Sequence, residues 1–314
     1  MYRLYEIFQS HPIITTDTRD CPDGSIFFAL KGDNFNGNHF AHEAIQKGCA
    51  YAVVDEPECC VEGDERYILV SNVLQTMQQL AAFHRRQLVT PILQITGTNG
   101  KTTTKELCTA VLAQKYNVLS TQGNLNNHIG VPKTLLRLTP QHDVAVIETG
   151  ANHPGEIAAL SEIVDADCGL ITNVGKAHLE GFGSFEGVVR TKGELYDHLR
   201  RSAQERNGTH RPQPFIFIDK DNPHLSRIAH GLPTYTYGHL GSNAMVEGQV
   251  TSCDPFVSVC WKSQQTGNQT YTIATQLIGT YNPTQYTCRR QRGTAFQRLS
   301  GANMSRPAEL SPNK

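Results

Sequence analysis

Residues 92–102 read Ile-Leu-Gln-Ile-Thr-Gly-Thr-Asn-Gly-Lys-Thr. An apolar run, typical of a buried strand, leads directly into a glycine-rich turn that ends in lysine and threonine. A helical pattern then extends from Lys101 to about Gln114. At such a strand–turn–helix junction, backbone N–H groups and the helix N-terminus can hold phosphate oxygens. The stretch therefore predicts a nucleotide-binding α/β domain, and a plain glycine turn that starts a helix is the less favoured alternative.

The residue types in this loop suggest separate roles. The Lys101 ammonium would hold the β- and γ-phosphates of ATP, and the Thr102 hydroxyl would reach Mg²⁺. The common phosphate-loop pattern starts with a glycine where this chain has Ile95, so the loop is a shorter variant. The predicted nucleotide-binding residues are Gly97, Thr98, Asn99, Gly100, Lys101, Thr102 and Thr103.

Strand and helix patterns alternate on the C-terminal side of this loop. Because the strands are almost continuously apolar, they predict a parallel sheet covered on both faces, as in a P-loop ATPase domain. From Thr234 the pattern becomes polar and alternating, which predicts a small antiparallel edge sheet. The predicted strands are 118–119, 144–148, 169–172 and 215–219, and the predicted helices are 132–138, 154–164 and 185–199.

The residues before the loop predict a smaller α/β unit. It has short apolar strands at 25–30 and 50–54, a helix at 40–48, and a longer helix that Ser71 would cap. We place a domain boundary between residues 89 and 90, so that the domains are 1–89 and 90–282. Residues 283–314 show neither helical nor strand periodicity and are expected to be disordered.

The composition of the chain argues against several classes of function. The net charge of −1 over 314 residues offers no broad basic surface for nucleic acid. No apolar run is long enough to cross a membrane, and the N-terminus lacks the apolar core of a signal peptide. The nine cysteines show no metal-type spacing. A cytoplasmic, reducing location is expected.

Several polar residues follow predicted strands, at the edge where parallel sheets bind ligands. Glu148 ends one strand and could bind Mg²⁺. His178 follows the next and could coordinate a second metal, or be structural. Lys192 lies on a predicted helix, where physical chemistry alone favours a solvated face. Asn126 and Asn127 lie in a polar loop that could bind a ligand or simply connect two elements.

Taken together, these motifs resemble the Mur ligase family. Residues 148–157 read Glu-Thr-Gly-Ala-Asn-His-Pro-Gly-Glu-Ile, and residues 172–184 read Thr-Asn-Val-Gly-Lys-Ala-His-Leu-Glu-Gly-Phe-Gly-Ser. The resemblance runs from about residue 13 to 282 in the family's order. It is also carried by residues 16–19, 27–32, 37–40, 96–104 and 123–134.

The resemblance implies an ATP-dependent ligase of peptidoglycan synthesis. In this chemistry ATP phosphorylates a peptide carboxylate, and an amine then attacks the acyl phosphate. By analogy, Lys101 holds the transferred phosphoryl group, Thr102 and Glu148 hold one Mg²⁺, and His178 binds a second. Lys192 matches a family lysine that is carbamylated and so becomes a carboxylate-like metal ligand.

The substrates follow from the same resemblance. The motifs are most similar to the branch that adds D-alanyl-D-alanine to UDP-N-acetylmuramoyl-tripeptide, and a monomer is expected. The asparagine loop and residues 153–156 argue against the tripeptide-forming and folylpolyglutamate-forming branches. The residues expected to contact substrate are Thr18, Arg19, His39, Asn126 and Asn127, and the residue expected near the adenine is Asn282.

The resemblance ends at residue 283. In the family, an alanine-rich helix and a third, Rossmann-like domain follow, and we expect this chain to lack that domain. Reading back-translated codons 285–297 one nucleotide later can restore that helix, so we hypothesise a shifted reading frame, which the coding DNA would test. Such a truncated chain is expected to ligate weakly or not at all. A non-catalytic nucleotide-binding remnant is therefore the alternative.

Overall fold

Two main sheets organise the chain in the computed structural model, which describes residues 1–175, 179–207, 211–254 and 256–274. The N-terminal sheet is parallel, with the strand order β1-β2-β5-β6, and β3 and β4 pair separately as a short antiparallel ribbon. The strands of this N-terminal unit are β1 (Ile14–Thr15), β2 (Ile26–Phe28), β3 (Lys31–Gly32), β4 (Phe35–Asn36), β5 (Tyr51–Val54) and β6 (Tyr67–Leu69). Its helices are α1 (Tyr2–Ser10), α2 (Ala41–Gln46) and α3 (Val73–Arg86).

The central sheet contains the strand that precedes the phosphate loop. Its strands are β7 (Ile92–Thr96), β8 (Val118–Ser120), β9 (Val144–Glu148), β10 (Cys168–Ile171), β11 (Phe215–Asp219), β12 (Thr234–His239), β13 (Val246–Cys253), β14 (Val257–Ser263) and β15 (Thr270–Ala274). They lie in the order β15-β14-β13-β12-β11-β10-β7-β9-β8. The predicted parallel α/β sheet is confirmed.

The antiparallel edge begins later than the sequence predicts. Strand β12, which starts at Thr234, pairs parallel with β11 and with β13, whereas β14 pairs antiparallel with β13 and with β15. A helix between β11 and β12 returns the chain to the same end of the sheet, which makes the pair parallel despite the polar alternation of β12. The prediction of a small antiparallel edge is correct, but its start at Thr234 is wrong.

Helices cover the central sheet. They are α4 (Lys101–Leu112), α5 (Gly130–Leu135), α6 (Glu156–Val164), α7 (Leu179–Phe182), α8 (Phe185–Glu205) and α9 (Pro223–Ile228). Helix α3 of the N-terminal unit packs against α5 and α6. Its buried side chains recur at helical spacing, so one apolar stripe faces this junction. They include Val73, Met77, Leu80 and Ala81.

The N-terminal cap of α3 differs from the prediction. Asn72, rather than Ser71, precedes the first helical residue with an extended backbone, and its side chain accepts a hydrogen bond from Gln75 N at 2.7 Å. An asparagine at this position satisfies one of the unpaired N–H groups at the helix start.

A buried ion cluster anchors the C-terminal end of α3. The Asp167 carboxylate accepts hydrogen bonds from the guanidinium groups of Arg85 and Arg206, both at 2.9 Å, and from Ile92 N at 2.9 Å. Arg85 is 1% exposed. Buried charges need such partners, because an unpaired one would be costly to desolvate. The cluster ties α3 to the start of β7 and so positions one wall of the cleft described below.

Across the part of the chain that the structure describes, no helix has the length and apolarity needed to cross a bilayer. The predicted disordered tail, residues 283–314, lies outside the described residues.

Candidate nucleotide and metal site

The phosphate loop joins β7 to α4, as the sequence predicts. Gly97 and Gly100 have φ angles of 142° and 74°, which side-chain-bearing residues seldom adopt. The turn places the N-terminus of α4 at the carboxyl edge of the sheet. Lys101 Nζ donates to the carbonyl oxygen of Thr98 at 3.0 Å. Burial lowers the pKa of Lys101, and the nearby Glu148 carboxylate opposes this shift.

The segment after β10 holds the loop in place. Asn99 N donates to Asn173 Oδ1 at 3.0 Å, and the Thr172 hydroxyl donates to Asn99 O at 2.7 Å. On the other side, Gly175 N donates to Thr98 Oγ1 at 3.0 Å. We did not assign Thr172 and Asn173 to the site from sequence. Both residues directly follow a predicted parallel strand, and this position could have identified them, because the carboxyl ends of neighbouring parallel strands meet at one edge of the sheet.

We expect Gly97→Ala to weaken ADP binding at least about tenfold and to destabilise the fold by about 1–3 kcal/mol. The new Cβ would overlap the Thr172 hydroxyl and lie 3.0 Å from Thr172 N, at a positive φ. Calorimetry with ADP and thermal melting measure the two effects.

Gly175→Ala is the matched control, because its Cβ would have Thr98 Cγ2 as nearest neighbour, at 3.5 Å. If both alanine variants bind ADP like the unmodified chain, the packing of this loop does not matter for the nucleotide.

Glu148 ends β9 with its side chain fully buried. Its Oε1 accepts hydrogen bonds from Thr102 Oγ1 at 3.1 Å and from Asn126 Nδ2 at 2.8 Å. Among the described residues, its Oε2 has no hydrogen-bond partner. A buried carboxylate oxygen without a donor is costly, and beside a phosphate-loop threonine it suits a hard cation such as Mg²⁺. The donor set therefore fits the predicted ion.

Lys192 is buried on α8, at 3% exposure. The solvated position favoured by physical chemistry alone is therefore wrong. Its Nζ donates to Ala151 O at 3.4 Å and lies 5.3 Å from the centre of the Phe182 ring. Burial, and then repulsion from Lys101, lower the pKa of Lys192 to about 8.

The spacing of residues along α8 indicates that Lys192 is buried, although a lysine is usually expected at the surface. Helix α8 buries one stripe against its neighbours, and Lys192 lies within that stripe at i, i+3 and i+4 spacing. Its buried neighbours on the helix include Val188, Val189, Leu195, Tyr196 and Leu199.

A cleft of ≈ 650 Å³ lies between α3 and the phosphate loop. One wall comes from α3 of the N-terminal unit, which the sequence did not assign to the site, with Gln75, Gln78, Gln79 and Arg86. The opposite wall comes from the central domain. The predicted site residues that line it are Gly97, Thr98, Lys101, Asn126, Asn127 and Lys192.

The two loop asparagines also have structural partners. Asn126 holds the Glu148 carboxylate, as described above. Asn127 Oδ1 accepts hydrogen bonds from Ile129 N at 3.1 Å and Gly130 N at 2.9 Å, at the start of α5. Both side chains thus shape the cleft, and their predicted contacts with substrate stay predictions.

The residues predicted to hold the uridine nucleotide do not line this cleft. The Arg19 side chain is 88% exposed and pairs with Asp17 at 2.6 Å. Thr18 lies beside it in the chain. The His39 side chain is 68% exposed, with Nε2 3.9 Å from Glu56 Oε2. They belong to the surface of the N-terminal unit, whereas His178 and Asn282 lie outside the described residues.

Two protein-family models match this chain. Residues 95–284 match the model described as the Mur ligase middle domain, and residues 12–85 match the model described as Mur ligase family, catalytic domain. The first match covers more than half of the chain. This chain belongs to the Mur ligase family.

Similar curated proteins include several named UDP-N-acetylmuramoyl-tripeptide–D-alanyl-D-alanine ligase. The one from Escherichia coli (strain K12) is 45% identical over 186 residues, which is 59% of this chain and 40% of the relative. The one from Synechocystis is 39% identical over 233 residues, covering 73% and 49%. The chain thus spans less than half the length of these relatives.

Solved structures of Mur ligases share the fold. MurF from Acinetobacter baumannii matches with a TM-score of 0.76 at 30% identity, covering 92% of this chain and 60% of that one. A MurF ligase from Thermotoga maritima in complex with ADP matches with a TM-score of 0.74 at 25% identity, covering 93% and 64%. The phosphate loop described here therefore belongs to a family of ATP-dependent ligases.

Proposed function

We propose that this chain carries the ATP site and the uridine-substrate unit of a ligase that joins D-alanyl-D-alanine to UDP-N-acetylmuramoyl-tripeptide in peptidoglycan synthesis. The observation that carries the proposal is the convergence of Lys101 and Lys192 on one cleft, whose lining residue Asn126 binds the buried Glu148 carboxylate. The names of the curated relatives supply the substrates.

The site supports an acyl-phosphate reaction. The γ-phosphoryl group of ATP would pass to the terminal carboxylate of the tripeptide, and the dipeptide amine would displace phosphate from the acyl phosphate. Lys101 would stabilise negative charge on the transferred group, since a positioned cation is worth most where water is excluded. Its carbonyl partner at Thr98 keeps the ammonium in the loop until a phosphate replaces that contact.

Lys192 would act after carbamylation, as the family resemblance implies. A pKa of about 8 leaves about a tenth of the amine neutral at pH 7. The neutral amine can add to CO₂ and release a proton, which converts a buried cation into an anion. That change would remove the charge repulsion with Lys101.

Mg²⁺ fits the oxygen donors of this site. Thr102 and Glu148 would hold one ion, His178 would bind a second, and carbamylated Lys192 would be a further metal ligand. When bound, Mg²⁺ would neutralise charge on the ATP phosphates. Asn126 prepares this arrangement by orienting the Glu148 carboxylate through Oε1, which leaves Oε2 available.

Each of the two sheet-containing units would bind a different ligand. Residues 1–89 would hold the uridine nucleotide through Thr18, Arg19 and His39, and residues 90–282 would hold ATP with Asn282 near the adenine. The peptide would run from the first unit into the cleft beneath α3. We also propose that the protein works as a monomer in the cytoplasm.

Calorimetry tests this assignment. We expect one equivalent of ATP and one of UDP-N-acetylmuramoyl-tripeptide to bind to the same chain. Release of phosphate that requires both substrates and D-alanyl-D-alanine identifies the ligase. Nucleotide binding without turnover would instead favour the non-catalytic remnant, and failure to bind the uridine-linked peptide would refute the proposed substrate.

A further inference from the structure

Three side chains with metal-binding atoms lie together on the N-terminal unit, away from the cleft. They are His39, in the turn Gly37–Phe40, Glu56, which follows β5, and Cys59, in the turn Pro57–Cys59. One ligand atom from each residue lies within 4.8 Å of the others. The sequence showed no metal-type cysteine spacing, because here a single cysteine meets a histidine and a glutamate from separate segments.

The distances between these ligand atoms are close to those in a zinc site. Glu56 Oε2 lies 3.9 Å from His39 Nε2 and 3.8 Å from Cys59 Sγ. In a tetrahedral site with bonds of about 2.0–2.3 Å, ligand atoms stand about 3.3–3.7 Å apart. A small inward movement of two side chains would therefore close the site. Because the His39 side chain is exposed, water could take the fourth position.

The neighbours of Glu56 are one lysine, one further carboxylate and one amide, and its Oε2 is the oxygen that lies near His39 and Cys59. Lys31 Nζ contacts Glu56 Oε1 and Asp55 Oδ1, both at 2.9 Å. One lysine beside two carboxylates leaves a local charge of −1, which favours a cation. Asn36 Nδ2 lies 2.9 Å from both Glu56 oxygens and 3.4 Å from His39 Nε2. This amide would have to turn away as the metal enters.

We propose that His39, Glu56 and Cys59 bind Zn²⁺ or a similar borderline-soft cation, and that the bound metal competes with the uridine-linked substrate. Thiolate and imidazole ligands select such cations over Mg²⁺. The Cys59 thiol loses its proton to solvent when the metal binds. The competition rests on the proposed contact between His39 and the nucleotide, whereas metal binding itself does not.

Titration of the full chain with Co²⁺ tests the site. We expect one equivalent to produce a thiolate-to-cobalt absorption band, and Zn²⁺ to displace it. Cys59→Ser should abolish the band. His39→Asn should weaken binding at least about tenfold, since even changes outside the first ligand shell cost about 10–100-fold.

Cys60→Ser is the matched control, because Cys60 is the adjacent half-buried thiol and is not part of the cluster. It should bind Co²⁺ as the unmodified chain does. A band that persists in Cys59→Ser, or that Cys60→Ser removes equally, overturns the site. Thermal melting confirms that each variant is folded.

A second titration tests the competition. Zn²⁺ should weaken binding of UDP-N-acetylmuramoyl-tripeptide at least about tenfold in the unmodified chain, and should have no effect in Cys59→Ser, which keeps His39. If Co²⁺ binds but Zn²⁺ leaves peptide affinity unchanged, the metal site stands and the competition is refuted. If the peptide fails to bind without metal, the proposed function fails while the cobalt result still decides the metal site.

Discussion

Glu148→Gln is expected to weaken Mg²⁺-dependent ADP binding at least about a hundredfold, or about 2.7 kcal/mol, without loss of stability. The carboxylate is fully buried, and its Oε1 already accepts from Thr102 and Asn126. Glutamine can keep that acceptor while it removes a buried negative charge that is costly without a cation. Calorimetry with ADP, in the presence and absence of Mg²⁺, and thermal melting of the metal-free chain measure the two effects.

The control for this variant is Glu186→Gln, which changes an exposed glutamate paired with Arg227 at the surface. It should leave both ADP affinity and its Mg²⁺ dependence unchanged. Weaker ADP binding without a loss of stability is the informative result, because replacing a merely structural glutamate would lower both. Unchanged Mg²⁺ dependence in Glu148→Gln would remove Glu148 from the metal site.

Local patterns were enough to predict the phosphate loop and the position of Glu148. A glycine-rich turn between a strand and a helix has few alternative geometries, and a polar residue that ends an apolar parallel strand must lie at the ligand-binding edge. The sheet and its order of strands and helices follow from the same alternation. These features depend on residues close together in the chain.

The remainder of the site depends on residues far apart in the chain. The α3 wall of the cleft results from packing against α5 and α6, which a helical pattern alone does not specify. Strand β12 is parallel because of its crossover, although its polar alternation suggests the opposite. Lys192 is buried because its helix packs through that face, so its residue type misleads when it is considered alone.

This buried lysine leads to the second large effect: Lys192→Met is expected to stabilise the chain by about 3 kcal/mol at pH 7. A pKa of about 8, against the usual 10.5 of a lysine side chain, means that burial in the folded state disfavours the charged form. Between these two pKa values the unfolded chain binds more protons than the folded chain, so the free energy of unfolding should rise with pH from about 8 to 10.5. Below pH 8 the contribution of Lys192 to stability should be at its lowest. Methionine fills a similar volume without the charge.

Thermal melting between pH 7 and 10.5 tests this reasoning. The melting temperature of the unmodified chain should rise with pH relative to Lys192→Met, because titration of other groups cancels in the comparison. Lys220→Met, at an exposed lysine, should show the same pH dependence as the unmodified chain.

Added bicarbonate at pH 8 should stabilise the unmodified chain and leave Lys192→Met unchanged, since only a neutral amine at this position can be carbamylated. A destabilised Lys192→Met at pH 7 would mean that the ammonium contributes more through Ala151 and Phe182 than burial costs it.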